Sequence, residues 1–137
     1  MRDFALHYAP TYPTIGTQTS FPVKTGVSGT CNAFYDYSSI NFYSAGGGCS
    51  NTAFSVIVHH EYGPPMVAVA VSGQGQYGEG MGDVMGVLIT GDNQLARGFY
   101  SDDCINGIRN ADNNKQYPCS GGIHDCGQLI SGCVWDI

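Results

Sequence analysis

The sequence predicts an α+β domain, and three observations predict it. Aromatic-rich runs around a polar turn read as paired strands, apolar residues at spacings of three and four read as two central helices, and the C-terminal segment repeats that helical spacing. A length of 137 residues suits a single domain, taken as residues 1–137, which can bury a core without a metal or a partner subunit.

Residues 1–30 hold Pro10, Pro13 and Pro22 among many Thr and Ser residues, with no helical periodicity. They predict an extended N-terminal segment packed on the rest as strand or loop. From Cys31, the runs Ala33 to Tyr37 and Ile40 to Tyr43 flank a Ser38-Ser39 turn and predict a β-hairpin. Cys31 and Cys49 bracket that hairpin and are expected to pair. Tyr35, Tyr37, Phe42 and Tyr43 read as structural residues that pack in the core or across strands.

Asn51 or Thr52 can cap a helix whose apolar residues Phe54, Ile57 and Val58 share a face and whose next turn carries His60 and Glu61. Gly63 precedes Pro64, and a residue before proline is pushed away from helical angles. The helix is therefore expected to end near Tyr62 and the chain to restart at Pro64, so that His60 and Glu79 need not converge. A glycine-rich connection from Ser72 to Asp83 leads to a second helix with Val84, Val87 and Leu88 on one face, weakened by Gly82 and Gly86 at about 1 kcal/mol each.

Residues Thr90 to Ser120 are rich in Asp, Asn and Gly and predict a long surface loop pinned by Cys104 and Cys119. Asp102, Asp103 and Asp112 follow no calcium-loop spacing and read as solvated turns. In the last segment Ile123, Leu129, Ile130, Val134 and Ile137 predict a helix still running at the final residue. Cys126 and Cys133 would then lie about 10.5 Å apart along its axis, too far to pair with each other.

Charge narrows the partners. Only 12% of residues are charged, the net charge is −6, and the five Lys and Arg are scattered, so no footprint for nucleic acid exists. No apolar run approaches the roughly 20 residues of a membrane span. Six cysteines without a CxxC pair favour disulfides and an extracellular location. The start, MRDFALHYAP, lacks the apolar core of a signal peptide, so export would need a signal outside these residues.

The stretch HHEYGPP, His59 to Pro65, contains the chemistry-bearing pair. A zinc peptidase needs two imidazoles four residues apart on one helical face and a carboxylate beside the first to take a proton from zinc-bound water. His60 and Glu61 fill the first two roles. In one branch of these enzymes the third ligand is a glutamate on the following helix, with an aspartate one turn later that orients a ligand histidine. Glu79 and Asp83 have that spacing.

The pair HEYG and GQYGEGMGDVMG resembles the HEYxH and GMGEGWSD blocks of fungalysin-type metallopeptidases, relatives of thermolysin in the gluzincin group. The terminal IHDCGQLISGCVWD is similar to the VHxxGxxWxxxLWD stretch that follows in that family. The three blocks span Ser55 to Ile137 in the family's order, with a short interval between the first two. The resemblance implies a zincin-like fold that is part of a larger secreted peptidase, a peptide or protein substrate, and zinc as cofactor. It further implies His60 and Glu79 as zinc ligands, Glu61 as general base, Asp83 as the partner that orients a ligand, and His124 as a stabiliser of the oxyanion.

Pro64 stands where the second zinc histidine belongs. It has no donor atom, and two protein ligands are fewer than the three of a catalytic zinc site. His59 is no substitute, because adjacent helical residues point about 100° apart. The sequence therefore predicts zinc that is weakly held or absent and a metallopeptidase-like chain that is inactive as written. The alternative is a non-catalytic extracellular binding or assembly module on a peptidase-derived scaffold, capable of self-assembly.

Overall fold

A computed structural model describes residues 1–69 and 75–137 of the chain. In order, its elements are α1 (Arg2–Tyr8), β1 (Val23–Val27), β2 (Ala33–Tyr35), β3 (Ile40–Tyr43), α2 (Ser55–Val69), α3 (Gln76–Thr90), β4 (Gln94–Leu95), β5 (Arg109–Asn110) and α4 (Ile123–Trp135). The class is α+β. Ser72 to Gln74, the start of the glycine-rich connection, lie outside the described residues.

The hairpin forms as its alternation requires. β2 and β3 pair antiparallel with Ala33 opposite Phe42 and Tyr35 opposite Ile40. Asp36 closes the turn by accepting from the backbone N–H of Ser38 at 2.9 Å and of Ser39 at 2.6 Å. Ile40 and Phe42 face a core shared with Cys49, Ile57, Ala96 and Phe99. β1 adds to β3 in parallel, giving the order β1-β3-β2 and leaving β2 at an edge. Cys31 and Cys49 form a disulfide. Tyr37 departs from the structural reading. It is 76% exposed and sits at φ 66°, in the left-handed region that a non-glycine residue seldom occupies.

The N-terminal segment is not extended throughout, because Arg2–Tyr8 forms α1. Seven residues are too few for a readable period, but Phe4 and Tyr8 stack edge to face one turn apart and Ala5 is buried. Arg2 holds the segment by donating to the carbonyls of Ile15 at 3.2 Å and Gly16 at 2.9 Å. Tyr12 donates to the Met66 carbonyl at 2.9 Å, which ties this region to α2.

α2 does not end near Tyr62 but runs through Pro64 and Pro65 to Val69. An interior proline removes a backbone bond and costs about 3 kcal/mol, so packing must supply what the local rule withholds. Gly63, Pro65 and Val67 are all buried, and the helix lies against α3 along its length. Its N-terminus also differs from expectation. Thr52 is fully buried and its hydroxyl serves the hairpin, accepting from the Tyr43 N–H at 2.9 Å, while Asn51 accepts from the Ala53 N–H.

α3 packs between α2 and α4. Gly78, Gly80, Gly82 and Gly86 are buried in it, so the glycines that weaken the helix as a sequence allow close approach on both sides. A β-carbon on Gly80 would stand 2.6 Å from the Gly127 carbonyl oxygen of α4. Val84 and Val87 are buried as expected, whereas Leu88 is 45% exposed and Met85 takes its place in the core.

Residues Thr90 to Ser120 are not a surface loop throughout. β4 and β5 pair antiparallel, and Leu95, Ala96 and Ala111 are fully or almost fully buried. Local side-chain bonds order this stretch. Asp92 accepts from the Gln94 N–H and from Arg97, and Asp103 accepts from the N–H groups of Ile105 and Asn106. Cys104 does not pin it, being exposed and unpaired.

Cys119 pairs instead with Cys126 at the start of α4, and Cys133 is exposed and unpaired. The absence of a Cys126–Cys133 bond agrees with their helical separation. α4 does not run to the last residue. It closes at Trp135.

Candidate functional site

Three helices and one short strand supply the site. His60 and Glu61 come from the second turn of α2, Glu79 and Asp83 from the first two turns of α3, His124 from the first turn of α4 and Arg109 from β5. His60, Glu61, Pro64, Glu79 and His124 line one cleft of about 280 Å³, bounded on β2 by Phe34 and Tyr35. Asp83 lies behind them, fully buried.

His60 is the hub. Its Nε2 stands 3.2 Å from Glu79 Oε2 and its Nδ1 2.8 Å from Asp83 Oδ1. The two residues therefore converge despite Pro64. A ring whose two nitrogens both face carboxylates donates from both, which describes an imidazolium. Burial opposes the charged ring, yet the bonds to Asp83 and Glu79 outweigh it and raise the pKa to about 9. Arg109 Nη2 is 3.5 Å from the same Nδ1, a contact only, since an imidazolium nitrogen has no lone pair to accept with.

The Arg109 donors go to Asp83. Arg109 Nε reaches Oδ2 at 2.8 Å and Nη2 reaches Oδ1 at 2.7 Å, a bidentate pair with side chains 13% and 1% exposed. Burial pushes the Asp83 carboxyl up, but His60 and Arg109 together hold it below its ordinary value. Glu79 behaves alike, with burial overcome by His60 and a second histidine. That histidine is His124, whose Nε2 is 3.1 Å from Glu79 Oε2. Glu61 differs. It is 8% exposed, and burial raises its pKa to about 7. Among the described residues, no group donates a hydrogen bond to it.

Arg109 is the residue that sequence reasoning missed. It lies in the stretch read as a featureless loop, and its only mark was to be one of five Lys and Arg in a chain whose motif carries three carboxylates. Half-buried His59 takes no part, and its Nδ1 has no partner.

The donor set can be tested against zinc. Two ligands with bonds of about 2.0 Å stand roughly 3.3 Å apart across a tetrahedral ion, and His60 Nε2 and Glu79 Oε2 are 3.2 Å apart. The pair alone would fit. The third position is Pro64, which lines the cleft with a carbon ring. His124 does not replace it. Among the described residues the one trio of ligand atoms within 4.8 Å of one another is Cys119, Asp125 and Cys126. The sulfurs of that trio are joined to each other as a disulfide and offer no thiolate. The residues present do not fit a catalytic zinc.

No protein-family model, curated protein or solved structure matches the chain. The functional reading rests on the geometry of this cleft.

Proposed function

We propose that the chain is a secreted metallopeptidase-like domain of the gluzincin, zincin-like type that has lost catalysis and serves as a non-catalytic binding module for peptide or protein. One observation carries this reading. Pro64 occupies the wall of the cleft in which His60, Glu61 and Glu79 meet, so the arrangement lacks a donor where a third zinc ligand is needed.

The convergence of His60, Glu79 and Asp83 supports peptidase descent, because it brings together the ligand pair and the orienting carboxylate that the resemblance implies. The loss of catalysis follows from the donor missing at Pro64. With zinc weak or absent, the His60 imidazolium supplies the positive charge between Glu79 and Asp83. Two disulfides support an extracellular location, and among the described residues no helix is long and apolar enough to cross a membrane.

Elemental analysis of the purified chain, dialysed against micromolar zinc, tests the reading. We expect well under one zinc per chain and no cleavage of a denatured protein substrate. One tightly held zinc per chain, with cleavage that Glu61→Gln abolishes, would overturn it.

A further inference from the structure

The cleft keeps one group that its own residues leave unserved. Arg109 covers both oxygens of Asp83, and both histidines turn to the same oxygen of Glu79. Glu61 is more than nine-tenths buried, lines the cleft, and receives no hydrogen bond among the described residues. Its carboxylate oxygens open into the cleft and are not sealed in the core, so water or a ligand in the cleft supplies the donor that the protein does not.

The rest of the wall says which donor. Phe34, Tyr35 and Tyr37 line the same cleft, with the Tyr35 and Tyr37 rings 5.5 Å apart and tilted by 49°. Tyr37 is held in a left-handed backbone conformation although it is exposed, a strain typical of ligand clamps. Aromatic faces beside a carboxylate attract an organic cation. A hard divalent ion would instead need several oxygen ligands around one point, which these rings do not supply. The volume of about 280 Å³ suits one side chain and its neighbours, and the net charge of −6 draws cations toward the chain.

We propose that the cleft binds the basic side chain of a partner peptide, a lysine or arginine whose charged head meets Glu61 and whose stem lies along Tyr35 and Tyr37. This rests on the reading of the cleft as a peptide-binding groove that does not hydrolyse its ligand. Lysine or arginine meets both demands of the cleft, since its head carries several N–H donors and its methylenes cover aromatic surface.

Calorimetric titration of the full chain with acetyl-Gly-Ala-Lys-Ala-Gly-amide, in the presence of a chelator, tests it. The comparison peptide carries norleucine in place of lysine, which keeps the four side-chain carbons and lacks the ammonium group. We expect the lysine peptide to bind at least about tenfold more tightly than the norleucine one, Glu61→Gln to remove most of that preference, and Tyr37→Ala to weaken binding about two- to fivefold. Asp102→Asn, an exposed charge outside the cleft, should change nothing. Equal affinity for the two peptides overturns the proposal whatever the variants do. So does an undiminished preference in Glu61→Gln, or binding that appears only when zinc or calcium is added. Mass spectrometry of the recovered peptide separates the two readings. A bound but cleaved peptide removes the non-catalytic reading and leaves the cation pocket standing, whereas an intact peptide that never binds does the reverse.

Discussion

Gly63 and Gly82 meet backbone to backbone, so closely that a β-carbon on Gly63 would stand 2.5 Å from the Gly82 Cα. This crossing of α2 and α3 brings His60 to Glu79 and Asp83. It also bears on the prolines. Pro64 deprives the His60 carbonyl of its helical donor, and that carbonyl lies against Gly82, 2.9 Å from where its β-carbon would be. Close packing at the crossing holds the proline-containing turn helical.

Gly82→Ala measures that crossing. Alanine gains about 1 kcal/mol of helix propensity, but its methyl would sit 2.7 Å from His60 Nδ1 and 2.9 Å from the His60 carbonyl. Neither backbone nor buried ring can yield freely, so we expect a net loss of about 1–3 kcal/mol, read from the denaturant midpoint. Gly122→Ala, where nothing lies within 4 Å and φ is −66°, is the control and should lose no more than the few tenths to about 1 kcal/mol of a weaker N-cap on α4.

The Asp83 carboxylate is the shared anion of Arg109 and His60, so Asp83→Asn should leave two buried cations without a full counter-charge. A loss of about 3–5 kcal/mol is expected. Replacing Asp83 by leucine together with Arg109 by methionine removes both charges. It should lose clearly less than the sum of the two single changes, and a purely additive result would show that the pair is not coupled.

Stability should fall as pH rises from 5 to 9. The His60 pKa is raised from 6.5 to about 9 in the folded chain, so its contribution is complete below pH 6.5 and is lost as pH climbs through 9. Glu61 acts in the same direction. Burial raises it from 4.5 to about 7, so the folded chain resists an ionisation that the unfolded chain undergoes freely above pH 4.5. Melting temperatures at pH 5, 7 and 9 check this, with Cys104 and Cys133 replaced by serine to exclude thiol chemistry. Glu61→Gln should flatten the lower half of the decline, and a rise in melting temperature toward pH 9 would refute both assignments.

The site was legible where the chemistry is local and illegible where packing decides. Glu79 and Asp83 lie one helical turn apart, and His60 precedes Glu61 directly, so spacing was enough to group them. The continuity of α2 was not legible, because the local rule for Gly63-Pro64 is sound and is overridden only by the contact with Gly82. Arg109 was hidden for a similar reason. Its place depends on a two-residue ladder, Gln94 opposite Asn110 and Leu95 opposite Arg109, too short to leave a period in the sequence. The hairpin and the Cys31–Cys49 bond were read correctly, since alternation and bracketing cysteines act over less than twenty residues.

Non-reducing peptide mapping should find Cys31 with Cys49 and Cys119 with Cys126, and a thiol reagent should label Cys104 and Cys133 in the native state. Removing Cys119 and Cys126 together as serines should cost about 2–3 kcal/mol, the loop entropy of a short crosslink, and should loosen the start of α4 where His124 stands. A bond between Cys126 and Cys133 would be incompatible with α4.

The decisive variant is Pro64→His made together with Pro65→His. It restores an imidazole four residues after His60 and removes the helix penalty of both prolines. Both effects act in the same direction on a metal site. α2 already runs through these positions, so no rearrangement of the helix is required. His60 Nε2 and Glu79 Oε2 already stand 3.2 Å apart, close to the separation of about 3.3 Å across a tetrahedral zinc. The expected outcome is one zinc per chain by elemental analysis and a melting temperature that rises with added zinc. Glu61→Gln in that background should leave zinc bound and abolish any chelator-sensitive cleavage of peptide. If the double variant keeps its two disulfides and its helical circular dichroism yet takes up no zinc, peptidase descent loses its main support. The convergence on Glu79 and Asp83 would then stand as a buried ion-pair network without a metal ancestor.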